Sequence, residues 1–171
     1  MNHHRSRKLA AVAALLAPLL AFALPEDRNK PIELVADSAR WDQNTGVSVY
    51  EGNVTITQGT MRLQADTVTI RMKDGEFDTM EAVGRPAVLR VIPARNKQEI
   101  VGTGQRVDYD VKSSLLVLTV NARVTQGKDV FSGDRIEYNL DRDQVRARTA
   151  PGGGGRVTVT IQPKAADRPK P

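Results

Sequence analysis

Cysteine is absent from this chain of 171 residues, histidine occurs only as His3 and His4, and aromatic residues make up 4%. Without cysteine the protein has no disulfide framework, no cysteine-ligated zinc site and no cysteine nucleophile. An apolar run over residues 9–24 is shorter than the roughly 20 residues that span a membrane as a helix, and Pro18 interrupts it. Because no disulfide can form, the core and the backbone hydrogen bonds must hold the fold together.

The N-terminal segment has the pattern of a secretory signal. Arg5, Arg7 and Lys8 precede the apolar run, and Ala21-Phe22-Ala23 supplies a cleavage site of small residues. We expect residues 1–23 to be a signal peptide that is cleaved after Ala23, with an uncleaved membrane anchor as the alternative.

Removal of this segment changes both the charge and the available chemistry. It takes away both histidines and three basic residues, so the net charge falls from +5 to +2. A chain without a dense basic stripe lacks the electrostatic footprint of a nucleic-acid-binding protein. Catalysis and metal binding through histidine are excluded as well. We therefore expect no enzyme, no cofactor, no metal site and no nucleic-acid partner.

Apolar and polar residues alternate along most of the remaining chain, for example over residues 53–57, 107–111 and 156–161. A period of two predicts strands with one buried face, and no segment keeps a helical period. Turn signals recur at short intervals. These signals are Asn44-Thr45-Gly46, Gln58-Gly59, Asp74-Gly75, Gln126-Gly127 and Asp141-Arg142-Asp143. The pattern predicts an all-β fold.

The sequence also contains an internal repeat. Residues 36–70 align without a gap with residues 104–138, and a shorter repeat at an offset of 29 relates residues 36–41 to residues 65–70. About four units of this kind must stack to bury their apolar faces. A stacked array leaves an open edge at each end, here near residues 32–36 and 156–162. We interpret Gly152 to Gly155 as a hinge and residues 163–171 as a disordered tail.

The inward positions of the predicted strands are the candidate ligand-binding residues. They are mostly valine, isoleucine and leucine, and two sheets that splay would leave an apolar groove between them. Alkyl chains suit such a groove because their transfer from water gains about 0.8 kcal/mol per CH₂. Burial in an ordinary core is the alternative. The candidates are Ile32, Leu34, Trp41, Val54, Ile56, Leu63, Val68, Ile70, Leu89, Val107, Tyr109, Leu116, Leu118, Ile136, Tyr138, Val157 and Val159.

Two pairs of carboxylates and a group of arginines need a separate interpretation. Asp108 and Asp110 share the face opposite Val107, which indicates a solvated surface rather than an acid/base pair. Asp141 and Asp143 are expected at a hairpin tip. Three arginines are a weaker candidate for contacts with phosphorylated sugars. These are Arg142, Arg146 and Arg148.

Four short motifs lie at residues 54–60, 65–66, 84–87 and 133–138. They resemble the OstA-like family of lipopolysaccharide-transport proteins, and the resemblance covers about residues 30–162. It implies a β-jellyroll domain over residues 24–162, made of stacked antiparallel strands in two sheets and open at both ends. It also implies that copies join head to tail.

The resemblance further implies a function in outer-membrane assembly. A periplasmic bridge would carry lipopolysaccharide by its lipid A acyl chains, with an LptC-like partner at the inner membrane and an LptD-like partner at the outer membrane. Ile32 and Leu89 match inward positions that contact the cargo in that family. A structural or adhesive exported β-repeat protein without lipid cargo is the alternative function. An enzyme that acts on polysaccharide with carboxylates alone is a third.

Overall fold

The computed structural model describes residues 27, 30–92, 98–139, 142, 144–149 and 155–161. The predicted signal peptide, most of the hinge, the tail, and Asp141 and Asp143 lie outside these ranges. Within the described part, no helix is long and apolar enough to cross a membrane. The strands are β1 (Glu33–Val35), β2 (Ser38–Asp42), β3 (Val47–Gln58), β4 (Met61–Lys73), β5 (Glu76–Val91), β6 (Ile100–Asp110), β7 (Leu115–Gln126), β8 (Asp129–Asn139), β9 (Gln144–Arg148) and β10 (Thr158–Thr160).

All ten strands belong to one antiparallel sheet, which confirms the all-β prediction. The order is β1-β3-β4-β5-β6-β7-β8-β10, with β2 also beside β3 and β9 also beside β8. Short turns connect β2 to β3, β3 to β4, β4 to β5, β6 to β7 and β7 to β8, and Gly46, Gly59, Gly75 and Gly127 take positive φ angles in four of them. Glycine suits these turns because it adopts positive φ without a steric penalty.

Every long strand is interrupted near its middle by a bulge. On β3 the bulge is Gly52-Asn53, with φ angles of 80° and 48°, and on β7 it is Val120-Asn121, with 61° and 59°. Bulges bend a strand and increase its twist. Because these interruptions lie side by side, they form a line across the sheet, which we call the ridge. The ridge contains residues 52–53, 65–66, 84–86, 104–105, 120–121 and 133–134.

The ridge folds the sheet into two layers. Met80 and Leu89 lie nine residues apart on β5, a separation of about 30 Å in a straight strand. Both nevertheless line the same cavity, so β5 must turn back on itself at residues 84–86. The two sheets expected from the sequence are therefore the two halves of one hydrogen-bonded sheet. We call the half that contains β2 and β9 the first layer, and the half that contains β1 and β10 the second layer.

The folded sheet ends in short strands on both sides. β1 and β2 form the N-terminal edge, and β9 and β10 form the C-terminal edge. Among the described strands, none pairs with the outer side of either edge, which agrees with a jellyroll open at both ends. β1 and β2 both run antiparallel to β3, whereas β9 and β10 both run antiparallel to β8.

Some positions related by 68 residues share local geometry. Asp42 accepts a hydrogen bond from the backbone N–H of Thr45, and Asp110 accepts one from that of Ser113. The pKa of both carboxyls lies below the ordinary value, mainly because Asp42 accepts a hydrogen bond from the backbone N–H of Asn44 and Asp110 accepts one from the hydroxyl of Ser113. The origin of the fold in an internal repeat remains an interpretation of the sequence.

Candidate functional site: an apolar interior between two layers

The strand register arranges inward residues in rows that run from one edge of the sheet to the other. In the first layer one row contains Trp41, Ser48, Ile70, Met80, Tyr109, Leu116, Tyr138 and Val145. In the second layer one row contains Leu34, Ile56, Leu63, Leu89, Gly102, Val124, Phe131 and Val159. Because the sheet is folded at the ridge, these two rows face each other across the interior.

A small cavity lies between the two rows. Its lining comes from both layers and is almost entirely apolar, so it offers contact to alkyl groups rather than to polar ones. The cavity has a volume of about 20 Å³, which is enough for roughly one water molecule. The layers are thus closely packed. The lining residues are Ile56, Met61, Leu63, Met80, Leu89, Val107, Tyr109 and Leu116.

Most of the residues predicted to bind ligand lie in this interior. Eleven of them are buried: Val54, Ile56, Leu63, Val68, Ile70, Leu89, Val107, Tyr109, Leu116, Leu118 and Ile136. Ile32, Leu34 and Tyr138 are partly buried and pack against the same core. Six of the predicted residues line the cavity itself, so the sequence placed the interior correctly along the chain.

Three predicted residues are exposed instead. Trp41, Val157 and Val159 have exposed fractions of 56%, 39% and 46%. Trp41 and Val159 belong to inward rows, but they lie on edge strands, and no described strand pairs with their outer side to cover them. Val145 on β9 is exposed for the same reason, and sequence reasoning missed it. The apolar lining therefore reaches the surface at both edges.

Two cavity residues escaped the sequence prediction. Met61 alternates with Leu63, and Met80 alternates with Ala82, so the period of two would have identified both. Small residues beside the ridge gave no such signal. A Cβ atom at Gly104 would lie 3.0 Å from the carbonyl oxygen of Thr119, so close backbone packing favours glycine there.

A polar cluster fixes the segment before β1 onto the turn between β3 and β4. Asp27 is fully buried, and its Oδ2 accepts hydrogen bonds of 2.7 Å from both the backbone N–H and the hydroxyl of Thr60. The ammonium of Lys30 lies 2.9 Å from Oδ1 of Asp27. The bond from Lys30 is the main reason that the pKa of Asp27 falls to about 2. Gln58 joins the cluster by donating to the carbonyl oxygen of Lys30 at 2.8 Å.

The two aspartates considered for catalysis have structural contacts on the outside of the first layer. The Nε of Arg106 donates to both carboxylate oxygens of Asp108, at 2.9 and 2.8 Å, and the same guanidinium lies 2.9 Å from Glu81. Asp110 caps the turn that follows β6. Both carboxylates thus lie away from the apolar interior. In the described part, no three potential ligands cluster as a metal site would require.

Comparison with known proteins places this geometry in a family. Residues 33–144 match the model of the family described as LptA/(LptD N-terminal domain) LPS transport protein. The lipopolysaccharide export system protein LptH of Pseudomonas aeruginosa is 37% identical over 159 residues, which cover 90% of this chain and 91% of LptH. The lipopolysaccharide export system protein LptA of Escherichia coli K12 is 30% identical over 155 residues, covering 90% and 82%.

A solved structure shares the fold. The crystal structure of LptH, described as the LptA-homologous periplasmic component of the lipopolysaccharide transport device of Pseudomonas aeruginosa, superimposes with a TM-score of 0.73 at 35% identity. The match covers 81% of this chain and 100% of that chain. The chain belongs to the LptA/LptD N-terminal domain family of lipopolysaccharide transport proteins.

Proposed function

We propose that this protein is a periplasmic carrier that holds the acyl chains of lipopolysaccharide between its two layers and passes them from one edge to the other. The observation that carries the proposal is the apolar lining, which crosses eight strands in each layer and ends in exposed side chains at both edges. The first-layer row ends in the exposed Trp41 at the N-terminal edge and in the exposed Val145 at the C-terminal edge, so a chain that moves along the row meets apolar side chains as far as each surface.

Acyl chains fit this lining chemically. Each CH₂ group removed from water contributes about 0.8 kcal/mol, without the directional partners that a polar ligand needs. The cavity is too small for an alkyl chain while the layers are closed, so loading requires them to separate. The ridge joins the layers along one side. Separation would therefore occur on the opposite side, between the hairpin tips, and the sugars and phosphates would remain in water there.

The two edges suit assembly into a bridge. β9 and β10 run in the same direction, and β1 and β2 run in the opposite one, because β3 and β8 are themselves antiparallel. A second copy in the same orientation can thus add antiparallel strands to both layers at once. Such a junction would also join the inward rows of the two copies. An LptC-like partner at the inner membrane and an LptD-like partner at the outer membrane would use the same edges.

Site-specific crosslinking tests the carrier function. A photo-crosslinking amino acid at Leu89 should capture lipopolysaccharide in cells, because this residue lines the cavity. The neighbouring position Arg90 is the matched control, since it lies on the same strand, faces outward and is exposed. Ile56 and the outward Thr57 form a second pair. Equal capture at inward and outward positions, or none at either inward position, would contradict the proposal.

The close packing of the interior favours one alternative, a structural or adhesive protein whose interior is sealed core. Replacement of a cavity residue by aspartate separates the two functions. In a carrier, Met80→Asp should abolish capture while the protein still folds, because the two layers can open at this site. In a sealed core, the buried charge should unfold the protein. Circular dichroism and crosslinking on the same variant distinguish these outcomes.

A further inference from the structure

The two edges of the folded sheet carry opposite charge. Over the N-terminal edge, residues 33–42, three carboxylates accompany one guanidinium: Glu33, Asp37 and Asp42 against Arg40. Over residues 144–161, which include the C-terminal edge, there are three arginines and no carboxylate: Arg146, Arg148 and Arg156. Both edges are solvent-exposed along their outward faces. The apolar rows thus end in an acidic margin on one side and a basic margin on the other.

The charge next to each edge preserves this difference. β8 carries three carboxylates and one arginine, so with β8 included the C-terminal edge has a net charge of +1, whereas the N-terminal edge with β3 has −3. On β8, Glu137 lies among arginines: Arg135 donates to it at 2.8 Å, and Arg148 lies 3.7 Å away. The hydrogen bond from Arg135 is the main reason that the pKa of Glu137 is lowered. On β3, Glu51 lies 3.6 Å from Arg40 and thereby offsets the only positive charge of the N-terminal edge.

We propose that the acidic N-terminal edge of one copy docks on the basic C-terminal edge of the next, and that this charge difference sets the direction of assembly. The inference rests on the proposed function, because it assumes that copies join through these edges. Contact between two N-terminal edges or two C-terminal edges would bring like charges together, so the charges disfavour those arrangements.

The strand register identifies the residues that would meet. If the rows continue across the junction, Trp41 of the next copy lies beside Val145, and Ser38 lies opposite Arg148. Glu51 is directly beyond Ser38 in the same outward row. Because the serine side chain is short, the guanidinium of Arg148 can reach across it to Glu51.

A second contact follows from the same register. Arg146 would lie opposite Arg40 of the next copy and diagonal to Asp42, which is two residues further along β2. The ion pair of Arg40 with Glu51 reduces the repulsion between the two arginines. Loss of a single exposed ion pair costs little affinity, whereas charge reversal also places like charges side by side, which costs more. Both effects should depend on salt.

Charge reversal tests the proposal. Arg148→Glu and Glu51→Arg should each weaken self-association about tenfold or more at low salt, and the double variant should recover most of that loss, because each junction regains an opposite pair. Sedimentation of the purified protein measures the association. Trp41 is the only tryptophan, so its fluorescence reports burial of the N-terminal edge. Raising the salt from about 0.05 M to about 0.5 M should weaken association of the unaltered protein.

Matched controls separate edge charge from total charge. Arg123→Glu and Glu76→Arg make the same charge changes at exposed positions on β7 and β5, away from both edges, and should leave association unchanged. Arg148→Gln removes the same charge without reversing it and is a second variant at the C-terminal edge, in case Arg148→Glu lowers the melting temperature; it should weaken association less than the reversal does.

Three results would overturn the inference. Self-association could be unaffected by salt and by charge reversal, the double variant could self-associate as weakly as the single variants, or the unaltered protein could fail to self-associate. If the protein binds vesicles rich in anionic lipid, and Arg146→Glu and Arg148→Glu abolish that binding without changing self-association, the basic edge is assigned to a lipid surface instead. If the crosslinker at Leu89 captures no lipopolysaccharide but self-association still depends on charge, the carrier function is contradicted and the inference about the edges is not.

Discussion

Val120→Asn should stabilise the protein, although it replaces an apolar residue with a polar one. Val120 lies in the ridge with a φ of 61°, in the left-handed region. The other described residues with positive φ that are not glycine are Asn53, Asp74, Ser114 and Asn121. Asparagine, aspartate and serine can stabilise such a conformation through their short polar side chains, whereas a β-branched side chain is crowded by the backbone.

The size of the effect follows from two opposing contributions. An ordinary L-residue in this region costs about 1–2 kcal/mol, most of which asparagine should recover. Val120 is 48% exposed, so its replacement loses about half of the burial of a valine side chain, or roughly 0.8 kcal/mol. The expected net gain is about 0.5–1 kcal/mol, which corresponds to a rise of about 1–4 °C in melting temperature for a domain of this size.

Thermal and urea unfolding of the two variants Val120→Asn and Val83→Asn test this reasoning. Val83 is 40% exposed and is the last regularly paired residue of β5 before the ridge, with no positive φ angle, so asparagine relieves no strain there and has a lower strand propensity. Val83→Asn should therefore destabilise the protein by about 1 kcal/mol or more. A loss of stability in Val120→Asn as large as that in Val83→Asn would refute the claim of backbone strain in the ridge.

Three further predictions concern the core, the polar cluster and the outer carboxylates. Leu63→Ala, at a position only 2% exposed, should lower the free energy of unfolding by about 2–5 kcal/mol in urea, and a loss below about 1 kcal/mol would contradict close packing there. The lowered pKa of Asp27 means that its carboxylate stabilises the fold above about pH 4, and that this contribution is lost as the pH falls towards 2. The free energy of unfolding of Asp27→Asn should therefore fall less between about pH 4 and about pH 2 than that of the parent protein. Parallel curves of unfolding free energy against pH for the two proteins would contradict this role of Asp27. Asp108→Asn with Asp110→Asn should leave lipopolysaccharide capture intact, whereas loss of function in a normally folded double variant would revive the enzyme hypothesis.

The period of two in the sequence was sufficient to find the strands and their inward faces. It identified six of the eight cavity residues, and the turn signals at Gln58-Gly59 and Gln126-Gly127 mark real hairpins. The fold-back at the ridge could not be predicted in the same way. Each bulge, such as Gly52-Asn53, is a local irregularity in one strand. Only the pairing of all the long strands shows that the bulges lie on one line and bend the sheet.

The sequence by itself determined which residues face inward and which chemistry is possible: an apolar lining, no cysteine, and charges of opposite sign near the two ends. The tertiary structure decided which inward residues are enclosed. Trp41 and Tyr109 occupy equivalent positions in the sequence repeat and lie in the same inward row, yet their exposed fractions are 56% and 5%. The difference arises because β2 is an edge strand while β6 has neighbours on both sides, and burial depends on neighbours that a strand's own sequence does not specify.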